Sequence, residues 1–279
     1  MKISNIKTAG HIVASFALVL ACQSAFSATT WNFGTCNSTA ANQKTNPGNF
    51  GNTWSCAGDA GTNKVTVSAW GSKTGATGFQ TAYVSAQGGS GFGIASQAEG
   101  LVVSAPNHAA DNSPLTSAPD LFVLKFDAAV ALDKVTLGWN QSDADFTLMA
   151  YNGGTPTIQG KTASNQAGGL TNGGGWALVQ QVGDAAPDAA TAGSSTDIVR
   201  TVNNVGAPVT SSWWLISAYN AGYSSAPTLD ATLDYFKLFS VTSKDVGVPD
   251  GKVPEPGSLA LLGASLLGLM AARRRKQTP

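Results

Sequence analysis

The sequence predicts an all-β body, an antiparallel β-sandwich for which a jelly-roll is one arrangement. It is framed by an N-terminal signal peptide and a C-terminal transmembrane helix. Three observations carry this expectation. Short apolar segments, alternating with small polar side chains or continuously apolar, recur between stretches rich in Gly, Asn, Ser and Thr. Glu, Lys and Arg are scarce between the two ends, so long helices would lack their usual surface residues. Two uncharged apolar runs lie near the ends, one behind Lys2 and Lys7, the other directly before Arg273, Arg274, Arg275 and Lys276.

Residues 1–27 read as a secretory signal peptide. Lys2 and Lys7 form the positive region, residues 12–21 the apolar region, and Ala25-Phe26-Ser27 sets small residues for cleavage after Ser27. Val19-Leu20-Ala21-Cys22 loosely resembles a lipobox, but Leu20 is poor in its slot, so ordinary cleavage is expected. Of three cysteines, Cys22 leaves with this peptide. Cys36 and Cys56 remain as an even pair in an oxidising compartment, which predicts a disulfide.

The body is expected over residues 28–242. Residues 28–63 are polar and read as a loop or short hairpin stapled by that disulfide. Strands are expected at 65–70, 80–86, 92–94 and 101–103. A Pro/Asn-rich loop covers 105–119. The strongest signals follow at 121–126, 134–139 and 146–151, spaced 12 to 13 residues apart as in sandwiches and barrels. Residues 152–174 read as a surface loop, 176–182 as a strand, 185–195 as a loop, and 198–202, 213–219 and 233–241 as strands. That makes nine to eleven strands around a single core. Residues 243–253 are a polar linker.

The charge balance narrows the function classes. The formal net charge is zero, but ten of the 16 basic and 15 of the 16 acidic residues lie between the terminal segments, leaving the body near −5. Nucleic acid and anionic lipid are therefore not expected partners, since both ask for a basic face.

The tail, residues 254–279, carries the most specific pattern. Pro254, Glu255 and Pro256 precede 16 uncharged residues and then the four cations. As a helix that run extends about 24 Å, short of a bilayer core of ~30 Å unless the basic stems snorkel. The cations favour a cytoplasmic end, which leaves the body outside. Ala260, Ala264, Gly268 and Ala272 recur every fourth residue, a small-residue face that permits close approach of a membrane partner. Pro254-Glu255-Pro256, the short helix and the Arg-rich cluster together resemble the PEP-CTERM sorting signal of Gram-negative bacteria. The resemblance implies recognition by exosortase, an intramembrane cysteine transpeptidase, and transfer through an inner-membrane intermediate to the cell surface or extracellular matrix, as in biofilms. A plain, unprocessed anchor is the alternative. The stretches Phe-Val-Leu-Lys-Phe-Asp from Phe122, Lys-Val-Thr-Leu-Gly-Trp from Lys134, Trp213-Trp214-Leu215 and Asp234-Tyr235-Phe236-Lys237-Leu238 resemble the body of one group of exosortase-dependent surface proteins. That likeness implies a surface role without chemistry.

Catalytic patterns are weak. His108 is the only histidine after the signal peptide, and no Gly-x-Ser-x-Gly elbow accompanies it. Asn140, Asp143 and Asp145 cluster in a turn and offer hard oxygens for calcium, with Asp111 and Asn112 able to join; the same residues are also ordinary turn formers. Trp213 and Trp214 are adjacent, so in a strand they face opposite ways and one can serve as a platform for a sugar ring. The expected role is a non-catalytic surface or matrix protein. A polysaccharide-binding module with exopolysaccharide as partner is the alternative, and a secreted hydrolase the distant one.

Overall fold

The computed structural model describes residues 28–61, 63–102, 108–112, 118–183, 190–194, 197–203, 208–224, 229 and 233–244. The expected signal peptide, Pro254-Glu255-Pro256, the tail helix and the Arg273–Lys276 cluster lie outside them. Among the described residues no helix is long and apolar enough to cross a membrane.

Among the described residues sixteen strands form, in chain order. The first eight are β1 (Thr30–Asn32), β2 (Gln43–Thr45), β3 (Thr53–Ala57), β4 (Lys64–Gly71), β5 (Gln80–Thr81), β6 (Tyr83–Ala86), β7 (Phe92–Ala95) and β8 (Ala110–Asp111). Then follow β9 (Leu121–Val130), β10 (Leu132–Ser142), β11 (Phe146–Tyr151), β12 (Trp176–Val182), β13 (Ala190–Ser194), β14 (Ile198–Thr201), β15 (Ser211–Ala218) and β16 (Asp234–Ser243). One sheet runs β13-β10-β16-β7-β6, with β1 and β8 also on β16 and β14 on β10. The other runs β12-β11-β15-β9-β4-β3-β2, with β5 on β4. Every pairing between these strands is antiparallel. Residues Ser27–Val246 make one unit.

The two sheets close on a shared apolar core, as the alternation along each strand dictates. Phe122, Leu124, Trp214 and Ile216 come from one sheet, Val135, Leu137, Phe236 and Leu238 from the other, and all are buried. The segment expected as a stapled loop or short hairpin holds the β2–β3 hairpin and also contributes to that core. Trp31, Phe33 and Trp54 are buried, and the Trp31 ring meets Phe126 edge-on at 4.7 Å. A single helical turn, α1 (Phe33–Cys36), follows β1, with the Asn32 side chain accepting the Thr35 N–H at 3.0 Å. The Cys36–Cys56 disulfide joins that turn to β3.

Other expectations change. Leu101 and Val102 lie in no strand, and Val102 is 95% exposed. The stretches expected as loops contain the short strands β8 and β13. Residues 152–174 do more than cover a surface. Their Ile158 and Leu170 pack with Leu121, Val123, Met149 and Leu215 on the outer face of the second sheet and form a second core. Both faces of β9 are therefore covered over Leu121 to Leu124, which is why that run is apolar without alternation.

Candidate functional site

The residues with chemical capacity collect where β10 crosses to β11 and where β8 and β16 meet. Ser142 ends one sheet, Phe146 begins the other, and Asp143 to Asp145 make the crossing. Asp143 and Asp145 are 4% and 2% exposed, and Asp234, which opens β16, is 1% exposed. One carboxylate oxygen from each lies within 4.8 Å of the others. The backbone fixes all three. The Asp145 N–H donates to Asp234 Oδ1 at 2.8 Å and the Ala144 N–H to Asp143 Oδ1 at 2.8 Å. The Asp143 carbonyl accepts from the Tyr235 N–H, and the Asp145 carbonyl from the Tyr219 N–H. Asn112 clamps the edge. Its Nδ2 donates to Asp234 Oδ2 and to the Tyr219 carbonyl, and its Oδ1 accepts the Asp234 N–H at 2.9 Å.

Of the residues picked from sequence, Asp143 and Asp145 meet here, and Asn140 stands on β10 two residues before its end. Asp234 was missed, although its parity shows it: Asp234, Phe236 and Leu238 alternate along one strand, so an acid shares the inward face with two core residues. Asp111, grouped with this turn in the sequence reading, instead joins a second cluster.

That second cluster is Glu99, Asp111 and Asp120, again with one oxygen from each within 4.8 Å of the others. Asp120 is 2% exposed, and its Oδ2 has no hydrogen-bond partner. Burial, then the charges of Asp111 and Glu99, push its carboxyl well above the usual carboxylate range. Glu99 is exposed and accepts the Ser96 N–H and hydroxyl, each at 2.8 Å. His108 sits nearby at φ 49°. Burial lowers its imidazole, with Glu99 opposing and Lys237 adding to the shift. Its Nδ1 is buried and has no hydrogen-bond partner. A serine triad needs a carboxylate on that nitrogen.

The tryptophans divide by face as their adjacency requires. Trp214 lies in the core, its Nε1–H donating to the Ser211 carbonyl at 3.0 Å, so it is not a platform. Trp213 is half-buried on the outer face against the second core, with Lys125 Nζ 5.4 Å from its ring centre. Trp139 lies on β10. It pairs with Lys237 on the outward side of β10, with Lys237 Nζ 4.6 Å from its ring centre. Trp31 and Trp54 lie in the main core, and Trp70, Trp176, Trp213 and Trp214 belong to one core or the other, which leaves Trp139 outside both.

Beyond the body, a family model for the PEP-CTERM protein-sorting motif matches residues 252–276. The chain carries that motif. The PEP-CTERM motif implies export, processing by exosortase and a cell-surface or extracellular destination by way of a membrane intermediate. No curated protein and no solved structure matches the chain.

Proposed function

We propose that this is a non-catalytic surface or extracellular-matrix protein. In this reading an N-terminal signal peptide exports it, the short tail helix holds it in the inner membrane with its basic end in the cytoplasm, and exosortase then acts at Pro254 to Pro256. The observation that carries the reading is the PEP-CTERM motif at residues 252–276, following a disulfide-stapled β-body. Two features of the body favour a structural role over a hydrolytic one. The carboxylates at the β10–β11 crossing are buried against one another, whereas a glycosidase needs two facing a sugar across an open cleft. His108 lacks the partner at Nδ1 that would orient it as a base.

The test is mass spectrometry of the C-terminal peptide of the protein purified from its own cells. Processing gives a peptide ending near Pro254 to Pro256, or one with added mass there. A peptide running intact to Pro279 overturns the reading in favour of a permanent anchor.

A polysaccharide-binding role is the second reading, and Trp139 favours it. It is the one body tryptophan outside both cores, beside Lys237, a buried lysine whose ammonium pKa is lowered by that burial. An aromatic face next to hydrogen-bond donors is what a sugar ring asks of a platform. Retardation in gels containing the host's exopolysaccharide, lost in Trp139→Ala, supports this reading; equal mobility with and without the polysaccharide removes it.

A further inference from the structure

We infer that Asp143, Asp145 and Asp234, with Asn140, bind a calcium ion that ties the β10–β11 crossing to the last strand. Three observations converge on it, all within the body and independent of how the tail is processed.

The first is the donor set. Three buried carboxylates place an oxygen each within 4.8 Å of one another. Calcium holds oxygens at about 2.3–2.6 Å, so ligands on one ion can be up to about 5 Å apart. The spacing fits a shared ion. The four side chains offer only carboxylate and amide oxygens, without thiol or imidazole, a set that suits a hard cation and not zinc or copper.

The second is Asn140. It is 0% exposed, and neither its Oδ1 nor its Nδ2 has a hydrogen-bond partner. Leaving a buried amide unsatisfied is costly. Asn140 pairs with Phe236 across β10 and β16, and Phe236 faces the core. Paired residues share a face, and so do residues two apart on one strand, so Asn140 and Asp234 project into the same interior. The amide oxygen thereby lies on the carboxylates' side of the sheet, without a partner, and in this inference it is the fourth ligand oxygen.

The third is preorganisation. The Asp145 N–H, the Asp234 carboxylate, the Asn112 side chain and the Tyr219 backbone are already linked by hydrogen bonds, so the ligands, from two chain segments, are braced by two more without the ion. A divalent cation among three carboxylates offsets their mutual repulsion. Extracellular modules bind calcium at dissociation constants of about 10⁻⁴–10⁻³ M, the range expected of an exported body.

The test uses the full chain, purified in detergent and stripped with EDTA. Isothermal titration with calcium chloride should give binding at this site. Thermal unfolding followed by circular dichroism should show the melting temperature rising by about 3–6 °C at calcium ten times the dissociation constant. Asp143→Asn should weaken binding at least tenfold, and Asn140→Ala should weaken it measurably while keeping the strand signature in the far-ultraviolet spectrum. No heat of binding and no thermal shift in the unsubstituted protein overturns the inference. So does a calcium affinity that is unchanged in Asp143→Asn or a response that disappears in Asp120→Asn, since the second would assign the ion to the other carboxylate cluster.

Discussion

Replacing both Cys36 and Cys56 by alanine tests how the first thirty residues of the body are held. The bond spans 20 positions, and the loss of loop-closure entropy for a ring of that size corresponds to about 3 kcal/mol. Both residues are buried in the main core, at 7% and 1% exposure, so removing two sulfurs adds a packing loss of about 1–2 kcal/mol. For a unit of this size each kcal/mol shifts the melting temperature by about 2–4 °C. The double variant should therefore melt about 8–20 °C below the oxidised protein by circular dichroism. Calcium should be held constant, because its contribution is separate. The damage should also be local. Trp31 and Trp54 flank the staple and lie in the core, so tryptophan fluorescence of the variant should shift to the red before global unfolding. A melting temperature within 3 °C of the unsubstituted protein would refute the reasoning, because Trp31, Phe33 and the β1–β16 pairing would then hold this segment unaided.

Three further outcomes follow from single contacts. Asn52 is fully buried, and its amide donates to the Val84 carbonyl at 2.9 Å and accepts the Val84 N–H at 2.7 Å. Asn52→Ala leaves both backbone groups unsatisfied and should cost about 2–5 kcal/mol in urea unfolding. A Cβ on Gly93 would stand 1.7 Å from the His108 carbonyl oxygen, which accepts the Ile94 N–H, so Gly93→Ala should destabilise by at least about 1–3 kcal/mol, read the same way. The folded Asp120 carboxyl titrates above its unfolded range, so its contribution is present at low pH and is lost as pH rises through the folded value. Urea midpoints of Asp120→Asn should therefore fall less between pH 5 and pH 8 than those of the unsubstituted protein, and an identical pH slope would contradict the assignment.

The strands legible in the sequence are those with an unambiguous pattern. Residues 65–70 alternate, and β4 buries Val65, Val67 and Ala69. The expected strands near 121, 134, 146, 176, 198, 213 and 233 each fall on a strand of the fold. The short hairpin allowed for within residues 28–63 forms as Gln43–Thr45 with Thr53–Ala57, polar strands held by pairing with each other and with β4 rather than by their own propensity. The misses have physical causes. Leu101 and Val102 have the β-composition of a strand but no neighbour to pair with among the described residues. The covered outer face of β9 was legible in Leu121-Phe122-Val123-Leu124, a run too apolar for a strand with one wet side, yet its cover, Ile158 and Leu170, hides in a Gly-rich stretch. The acidic site was half legible. Asp143 and Asp145 announce themselves in one turn, whereas Asp234 joins from 89 positions beyond Asp145, a closeness that only the pairing of β16 with β10 creates.

That pairing also bears on the order of events during export. The last strand is the centre of its sheet: β16 pairs with β1, β7, β8 and β10. Its partner β1 is separated from it by most of the body, and the hydrogen bonds between Thr29 and Ser243 span 214 positions. Contacts of such separation form late and slowly. Sheet and core therefore cannot close until residue 243 is available, and the PEP-CTERM motif begins only at residue 252. Folding of the body and exposure of the sorting signal are thus nearly simultaneous by construction. A chain ending at residue 244 keeps every paired strand and should resist proteolysis as the whole body does. One ending at residue 233 loses β16, four strand partners and Asp234, and should be digested throughout. If the shorter chain proved equally resistant, β16 would be an accessory strand, and both this ordering and the calcium site built on Asp234 would fail together.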